Sequence, residues 1–169
     1  MTISETLLPQ FDAEMASTRA ILACVPEDKF TWKPHEKSMT LGRLASHIAE
    51  MAQWAVEAIN RDKLELTPGT KPFQAQSKAE LMETLEKNAA AAHKAIAGAT
   101  DEQLRQSWSL VYGGQTVFTM PRIAVLRGPV LSHIIHHRGQ LSVYLRLNDV
   151  AIPGMYGPSA DANAFAAGQ

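Results

Sequence analysis

Residues 133–145, HIIHHRGQLSVYL, decide the fold, because they combine a long apolar helix with histidines at a spacing that suits a metal ion. Four residues along an α-helix place two side chains about 40° apart around the axis and about 6 Å apart along it. His133 and His137 therefore share one face, and both imidazoles can reach one ion. Leu141 and Tyr144 lie on the same face, so we expect the pair to point into the core. Two buried imidazoles without partners are costly, and a metal ion that accepts both lone pairs removes that cost.

A third ligand has to come from another helix, and the candidate is His47 in the segment LASHIAEM. His47 lies near Leu44 and Met51, at the edge of the predicted buried face of its helix. A single histidine in this position is also typical of a core histidine bonded to a carbonyl, and that alternative stays open here. Together, the three histidines predict a site for one divalent transition-metal ion per chain, since imidazole is a common ligand of such ions.

Several other polar residues lie near these histidines or share their residue type. His136 should point past the ion toward a neighbouring helix or solvent, and neither His35 nor His93 has a partner at ligand spacing. Glu50 follows His47 by three residues, and we interpret it as a solvated side chain rather than as an acceptor that orients the imidazole. Three more side chains are candidates either for substrate contact or for an ordinary surface position: Arg138, Gln140 and Tyr156.

Four segments show apolar residues at helical spacing, with caps or helix breakers at their ends. We predict helices over about Ile3–Cys24, Leu41–Arg61, Ser77–Ala97 and Pro129–Asn148. Residues 62–76 mix charge with proline and glycine, and they are predicted to form a long crossing loop between the second and third helices. This pattern predicts an all-α protein, a four-helix bundle.

The second half of the chain contains further glycines and prolines. Residues 108–118, WSLVYGGQTVF, show two β-favouring runs around Gly113-Gly114, which predicts a small hairpin before the last helix. A short helical segment from Pro121 leads into that helix and should break at Gly128-Pro129. Residues 149–169 contain too many breakers for a helix, so we predict a tail whose last residues are frayed.

Composition limits the class of protein. The chain has 169 residues, of which 46% are hydrophobic and 20% charged, and a net charge of −1. These values fit a single domain over residues 1–169, and the near-neutral charge gives no basis for a nucleic-acid partner. The sequence contains no run of about 18 apolar residues that would cross a membrane. Because Cys24 is the only cysteine and the first residues lack the basic leader of a secretion signal, we expect a cytoplasmic location.

The sequence resembles the DinB-like family, bacterial damage-inducible proteins that are grouped with metal-dependent thiol transferases. The resemblance rests on residues 133–161, HIIHHRGQLSVYLRLNDVAIPGMYGPSAD, and on residues 41–51, LGRLASHIAEM. Helix order and the long crossing loop are similar over nearly the whole chain. The resemblance implies an up-down-down-up four-helix bundle, a homodimer, and one divalent metal, zinc or nickel, near one end of the bundle. Its ligands would be His47, His133 and His137.

Three neutral imidazoles leave at least one coordination position of an ion open, which is typical of a catalytic site. Such an ion lowers the pKa of bound water or of a coordinating thiol. Together with the resemblance, this predicts a transferase in which the metal activates a low-molecular-weight thiol, the cosubstrate, for attack on an electrophilic small-molecule substrate. Two alternatives stay open: a metal-dependent hydrolase that uses metal-bound hydroxide, and a non-catalytic, stress-induced metal-binding protein with a fourth protein ligand.

Overall fold

The computed structural model describes residues 1–161 and shows a mostly helical chain with a small sheet. The end of the predicted tail and of the predicted domain, residues 162–169, lies outside the described residues. A 3-10 turn at Glu27–Lys29 follows the first helix, and a π-helical turn at Leu126–Ser132 precedes the last one. The elements in chain order are α1 (Ile3–Leu22), α2 (Leu41–Met51), α3 (Gln53–Asn60), β1 (Lys63–Leu66), α4 (Lys78–Gly98), α5 (Asp101–Arg105), β2 (Ser107–Tyr112), β3 (Gln115–Pro121), α6 (Arg122–Val125) and α7 (His133–Arg146).

Side-chain caps start the helices close to the predicted positions. The Thr40 hydroxyl accepts a hydrogen bond from the first turn of α2, and the Ser77 hydroxyl does the same for α4. The second predicted helix differs, because Ala52 interrupts it and separates α2 from α3. The N–H of Ala55 there bonds to the Ala52 carbonyl, three residues back, which tightens the turn. His47 therefore lies on α2, an independently capped helix of 11 residues.

The longer helices surround one hydrophobic core. α4 packs against α1, α2 and α3, and α7 packs against α1 and α2. Ala89 and Ala92 are buried on α4, and small side chains of this kind permit close helix packing. Within the described part of the chain, no helix combines the length and the apolar character that a membrane span needs. The contact between α2 and α7 is the one that positions the histidines.

The three-stranded sheet makes the predicted all-α class too narrow. The predicted hairpin is confirmed: β2 and β3 are antiparallel, and Gly113 and Gly114 have φ of 56° and 80°, the left-handed conformations that favour glycine. β1 was not predicted, because it lies inside the expected crossing loop at residues 62–76. It pairs in parallel with β2. Its four residues alternate too briefly to indicate a strand by themselves, and pairing with a distant segment stabilises it.

The helix break predicted at Gly128-Pro129 is wrong. The chain stays helical there through the π-helical turn at Leu126–Ser132, which accommodates a proline that has no N–H to donate. At the end of this turn the backbone N–H of His133 bonds to the carbonyls of Gly128 and Val130, not to that of Pro129. Turns of this kind often occur at functional sites. Here the turn leads directly into the first histidine of α7.

Candidate metal centre

The structure brings His47, His133 and His137 together between α2 and the start of α7. Their ring centroids are 5.2 Å (His47 to His133), 4.8 Å (His47 to His137) and 4.6 Å (His133 to His137) apart. One ligand nitrogen from each ring lies within 4.8 Å of the other two. No fourth histidine, cysteine or carboxylate of residues 1–161 joins this group. The three predicted ligands therefore form one compact cluster.

Hydrogen bonds on the far side of two rings fix which nitrogen faces the cluster. Nδ1 of His47 donates to Oε1 of Glu50 at 3.0 Å, and Nδ1 of His137 donates to Oε1 of Gln140 at 2.7 Å. A ring that donates from Nδ1 keeps its lone pair at Nε2. An acceptor that holds a ligand histidine in this way is typical of protein metal sites. Gln140, a candidate either for substrate contact or for a surface position, is exposed and orients a histidine.

His133 follows the π-helical turn directly. The nearby carbonyl of Pro129 favours the protonated form of its imidazole and so partly opposes the lowering of the His133 pKa. Nε2 of His133 lies 2.7 Å from Nε2 of His137. Because Nδ1 of His137 donates to Gln140, Nε2 of His137 presents its lone pair to Nε2 of His133. A metal ion bound by both rings would accept this lone pair.

The donor set fits a divalent transition metal. Zinc–nitrogen bonds of about 2.1 Å place two ligand nitrogens about 3.4 Å apart, so the closest pair would separate slightly when an ion binds. Three neutral imidazoles suit zinc, nickel and copper, whereas calcium and magnesium prefer oxygen ligands. The residues present are therefore able to hold the kind of ion that the sequence predicts.

Burial keeps two of these imidazoles neutral. It is the main cause that lowers the pKa of His133, and it lowers the pKa of His137 to about 4. The hydrogen bond to Gln140 partly opposes this shift at His137, and the neighbouring histidines add to it. Neutral imidazoles keep the lone pairs that a metal ion needs, so the site is ready for an ion at neutral pH.

We expect the metal-free protein to lose stability as the pH falls from about 6.5 to about 4. In the unfolded chain His137 binds a proton near its ordinary pKa of about 6.5, whereas in the folded chain it does so only near pH 4. Between these values the unfolded state binds more protons, so the free energy of unfolding decreases as the pH falls. Thermal unfolding of metal-free protein across this range should show a steeper loss of Tm than the His137→Gln variant shows. Equal slopes would contradict the assignment.

The other histidines lie where the sequence analysis placed them. His136 is exposed beside the cluster, with its ring centroid 5.0 Å from that of His137. Nδ1 of the exposed His93 lies 2.8 Å from Oδ1 of Asp12, and His35 lies in an exposed turn. None of the three joins the ligand group. His35 and His93, which do not contact the cluster, provide matched controls for substitutions in it.

The interpretation of Glu50 as a solvated residue is wrong. Its carboxylate is partly buried, and Oε1 accepts hydrogen bonds from both His47 and Arg43, the latter at 3.1 Å. Glu50 therefore holds the imidazole of His47 and is itself held by a guanidinium group. The signal was present in the sequence, since Arg43, His47 and Glu50 follow one another at helical spacing along one face of α2.

Arg138 is buried in a hydrogen-bonded network with Glu14, and the hydroxyl of Tyr156 joins this network although the Tyr156 side chain is 71% exposed. Arg138 is only 1% exposed, and its guanidinium lies 2.5 Å from Oε2 of Glu14 in α1. The Tyr156 hydroxyl lies 2.8 Å from both carboxylate oxygens of Glu14 and 2.8 Å from Arg138. The sequence analysis missed Glu14. The available signal was its position among buried residues such as Phe11 and Met15 on one helix face.

Comparison with known proteins covers almost the whole chain. A sequence model of the DinB family matches residues 1–166. The chain is 25% identical over 161 residues to the uncharacterised protein YrdA of Bacillus subtilis, a match that covers 91% of this chain and 88% of that protein. It superposes on the crystal structure of a DinB-like protein from Bacillus cereus with a TM-score of 0.71 and 26% identity, covering 92% and 98% of the two chains. The DinB-like protein YjoA of Bacillus subtilis shares the fold, with a TM-score of 0.67 and 18% identity over 89% and 97% of the two chains. The chain therefore belongs to the DinB family.

Proposed function

We propose that this protein is a metal-dependent transferase that joins a low-molecular-weight thiol to an electrophilic small molecule. His47, His133 and His137 would hold one zinc or nickel ion. The observation that carries this proposal is the convergence of three imidazoles, two of them fixed through Nδ1 by acceptor side chains. Because no fourth protein ligand from residues 1–161 joins them, a bound ion keeps a position open for a small molecule.

A divalent ion at this position supplies a positive charge that lowers the pKa of a thiol. The chemistry requires this, since the thiolate and not the thiol is the attacking species. In the reaction a sulfur–carbon bond forms, the bond from that carbon to its leaving group breaks with its electron pair, and the thiol proton passes to solvent. The side chains of Glu50 and Gln140 keep the imidazoles in one orientation throughout.

The transferase fits the site better than the two alternatives do. Hydrolysis requires a general base for water, and the nearby carboxylate of Glu50 already accepts hydrogen bonds from His47 and Arg43. A non-catalytic metal-binding protein is expected to close the coordination sphere with a fourth ligand. Neither feature is found among the described residues, whereas an open cavity adjoins His47.

Family membership supports further proposals about the whole molecule. We propose that residues 1–169 form one domain whose main helices run up-down-down-up. We further propose that the protein is a homodimer, that it is located in the cytoplasm, and that it acts in a response to stress. Light scattering at micromolar concentration tests the dimer, and a monomer would contradict it. The remaining proposals do not affect the chemistry of the site.

The function is tested with protein reconstituted with zinc or nickel. Cysteine and glutathione serve as thiols and 1-chloro-2,4-dinitrobenzene as the electrophile, with thioether formation followed by absorbance. We expect metal-dependent thioether formation that the His137→Ala variant loses and the His93→Ala variant retains. Hydrolysis of a nitrophenyl ester without thioether formation would favour the hydrolase, and absence of both activities would favour a non-catalytic role.

A further inference from the structure

A cavity of about 380 Å³ adjoins the histidine cluster and has a distinct composition. His47 and Glu50 line it together with Trp54 and the loop that follows β1. Its volume falls in the range of sites for small molecules. Two other grooves, about 510 Å³ between α3 and α4 and about 270 Å³ between α1 and α4, contain none of the three clustered histidines. A molecule that reacts at the cluster therefore has this cavity beside it.

Aromatic side chains form much of the cavity wall. Trp54 comes from α3, Tyr112 from the end of β2, and Phe73 from the loop after β1. Leu66, which pairs with Tyr112 between β1 and β2, also lines the cavity. Tyr112 is 51% exposed although it is a large aromatic residue, so its ring is available to a ligand. Such a wall suits a flat apolar molecule, since aromatic rings stack on one another.

The charges that line the cavity leave one positive group unbalanced. Arg43 is paired with Glu50 at 3.1 Å and also donates to the carbonyl of Phe73 at 3.3 Å. Lys71 is exposed, and within residues 1–161 it has neither a hydrogen bond nor an ion pair. Two cations and one carboxylate therefore line the cavity, and the free cation is Lys71. This balance favours a ligand with a single negative charge.

We propose that this cavity binds the electrophilic substrate, and that the substrate is a small organic monoanion with a flat apolar body. That the ligand is a substrate rests on the proposed function. The chemistry of the ligand is inferred from the cavity alone. The apolar body lies against Trp54, Phe73 and Tyr112, and the anionic group lies near Lys71. Because His47 lines the same cavity, a molecule held in this way lies beside one ring of the histidine cluster.

Ligand binding to metal-free protein tests the proposal without any measurement of activity. The ligand is 2-naphthoate, and 2-naphthylmethanol serves as its neutral analogue. The chain has three tryptophans, so the indole N–H signals in a nitrogen–proton NMR spectrum are few, and the Trp54→Phe variant identifies one of them. We expect 2-naphthoate to shift the Trp54 signal but not those of Trp32 and Trp108. The neutral alcohol should bind about threefold more weakly.

Charge reversal provides the second part of the test. Lys71→Glu should raise the Kd for 2-naphthoate by about tenfold or more and leave that for the alcohol unchanged. Lys94→Glu is the matched control, because Lys94 lines the groove between α3 and α4, and it should change neither value. Absence of a Trp54 shift, or equal binding of acid and alcohol in all three proteins, would overturn the proposal.

The outcomes separate this inference from the proposed function. If 2-naphthoate binds as described but reconstituted protein transfers no thiol, the transferase is refuted and the cavity still selects aromatic monoanions. If thiol transfer occurs and 2-naphthoate does not bind at Trp54, the inference alone fails. Binding in the His93→Ala variant should equal binding in the metal-free parent, since His93 lies in the groove between α1 and α4 and not in this cavity.

Discussion

Replacement of His133 or His137 by alanine should reduce the bound transition metal from about one ion per chain to nearly none. Each ring supplies one of three ligands, and a protein ligand in such a site contributes about 3 kcal/mol, or about a hundredfold in affinity. The remaining two nitrogens then compete poorly with water and buffer. Elemental analysis by mass spectrometry of tag-free, reconstituted and desalted protein measures the stoichiometry. His47→Ala should behave in the same way.

Histidines outside the cluster serve as controls for this experiment. His93→Ala and His35→Ala remove exposed imidazoles that could bind metal adventitiously, and both variants should keep the full stoichiometry. A stoichiometric ion in the His133 or His137 variant would refute the ligand assignment. Absence of metal from the reconstituted parent protein would refute the site itself, and the enzyme proposal with it.

Replacement of Glu14 by alanine should destabilise the protein by about 3 to 5 kcal/mol, because it leaves the guanidinium of Arg138 buried without its partner. For a chain of this length, the expected fall in Tm is on the order of 10 °C. The carboxylate also accepts from Tyr156, so that hydroxyl loses its acceptor too. Thermal or urea unfolding of metal-free protein measures the effect.

Two comparisons show whether the burial of the Glu14–Arg138 pair causes this loss of stability. Glu86→Ala breaks the ion pair with Arg19 that also joins α1 to another helix, but both side chains are nearly half exposed, so we expect little change in Tm. Replacing both buried partners with apolar residues, Glu14→Leu with Arg138→Met, should recover much of the loss. A Glu14 variant as stable as the Glu86 variant would show that the buried pair contributes nothing.

The histidine cluster was predictable because most of its information is local. His133 and His137 are one helical turn apart, and a helical wheel is sufficient to place them on one face. To predict His47 as the third ligand, it was enough to expect that its helix buries the edge on which His47 lies. The acceptors Glu50 and Gln140 are three residues from their histidines, a spacing that the sequence shows, but whether each side chain bonds to its histidine depends on how the folded chain buries it.

The features that the sequence did not predict depend on distant contacts or on an unusual turn. Glu14 and Arg138 are 124 residues apart, so neither segment alone indicates a buried ion pair. β1 forms a strand because its backbone pairs with that of β2, which is distant in the sequence. Gly128-Pro129 is locally typical of a helix break, and only the wider π-helical turn, held within the packed helices, allows the helix to continue.

The pairing of β1 with β2 has a consequence for the order in which the molecule assembles. Lys63 and Ser109, which pair at one end of this ladder, are 46 residues apart, whereas the helices and the β2–β3 hairpin need only local contacts. Closing so long a segment costs chain entropy before any hydrogen bond forms, so β1 joins late in folding. As a four-residue edge strand it is also among the first parts to open. Such a local opening would leave the helices that carry the histidines folded.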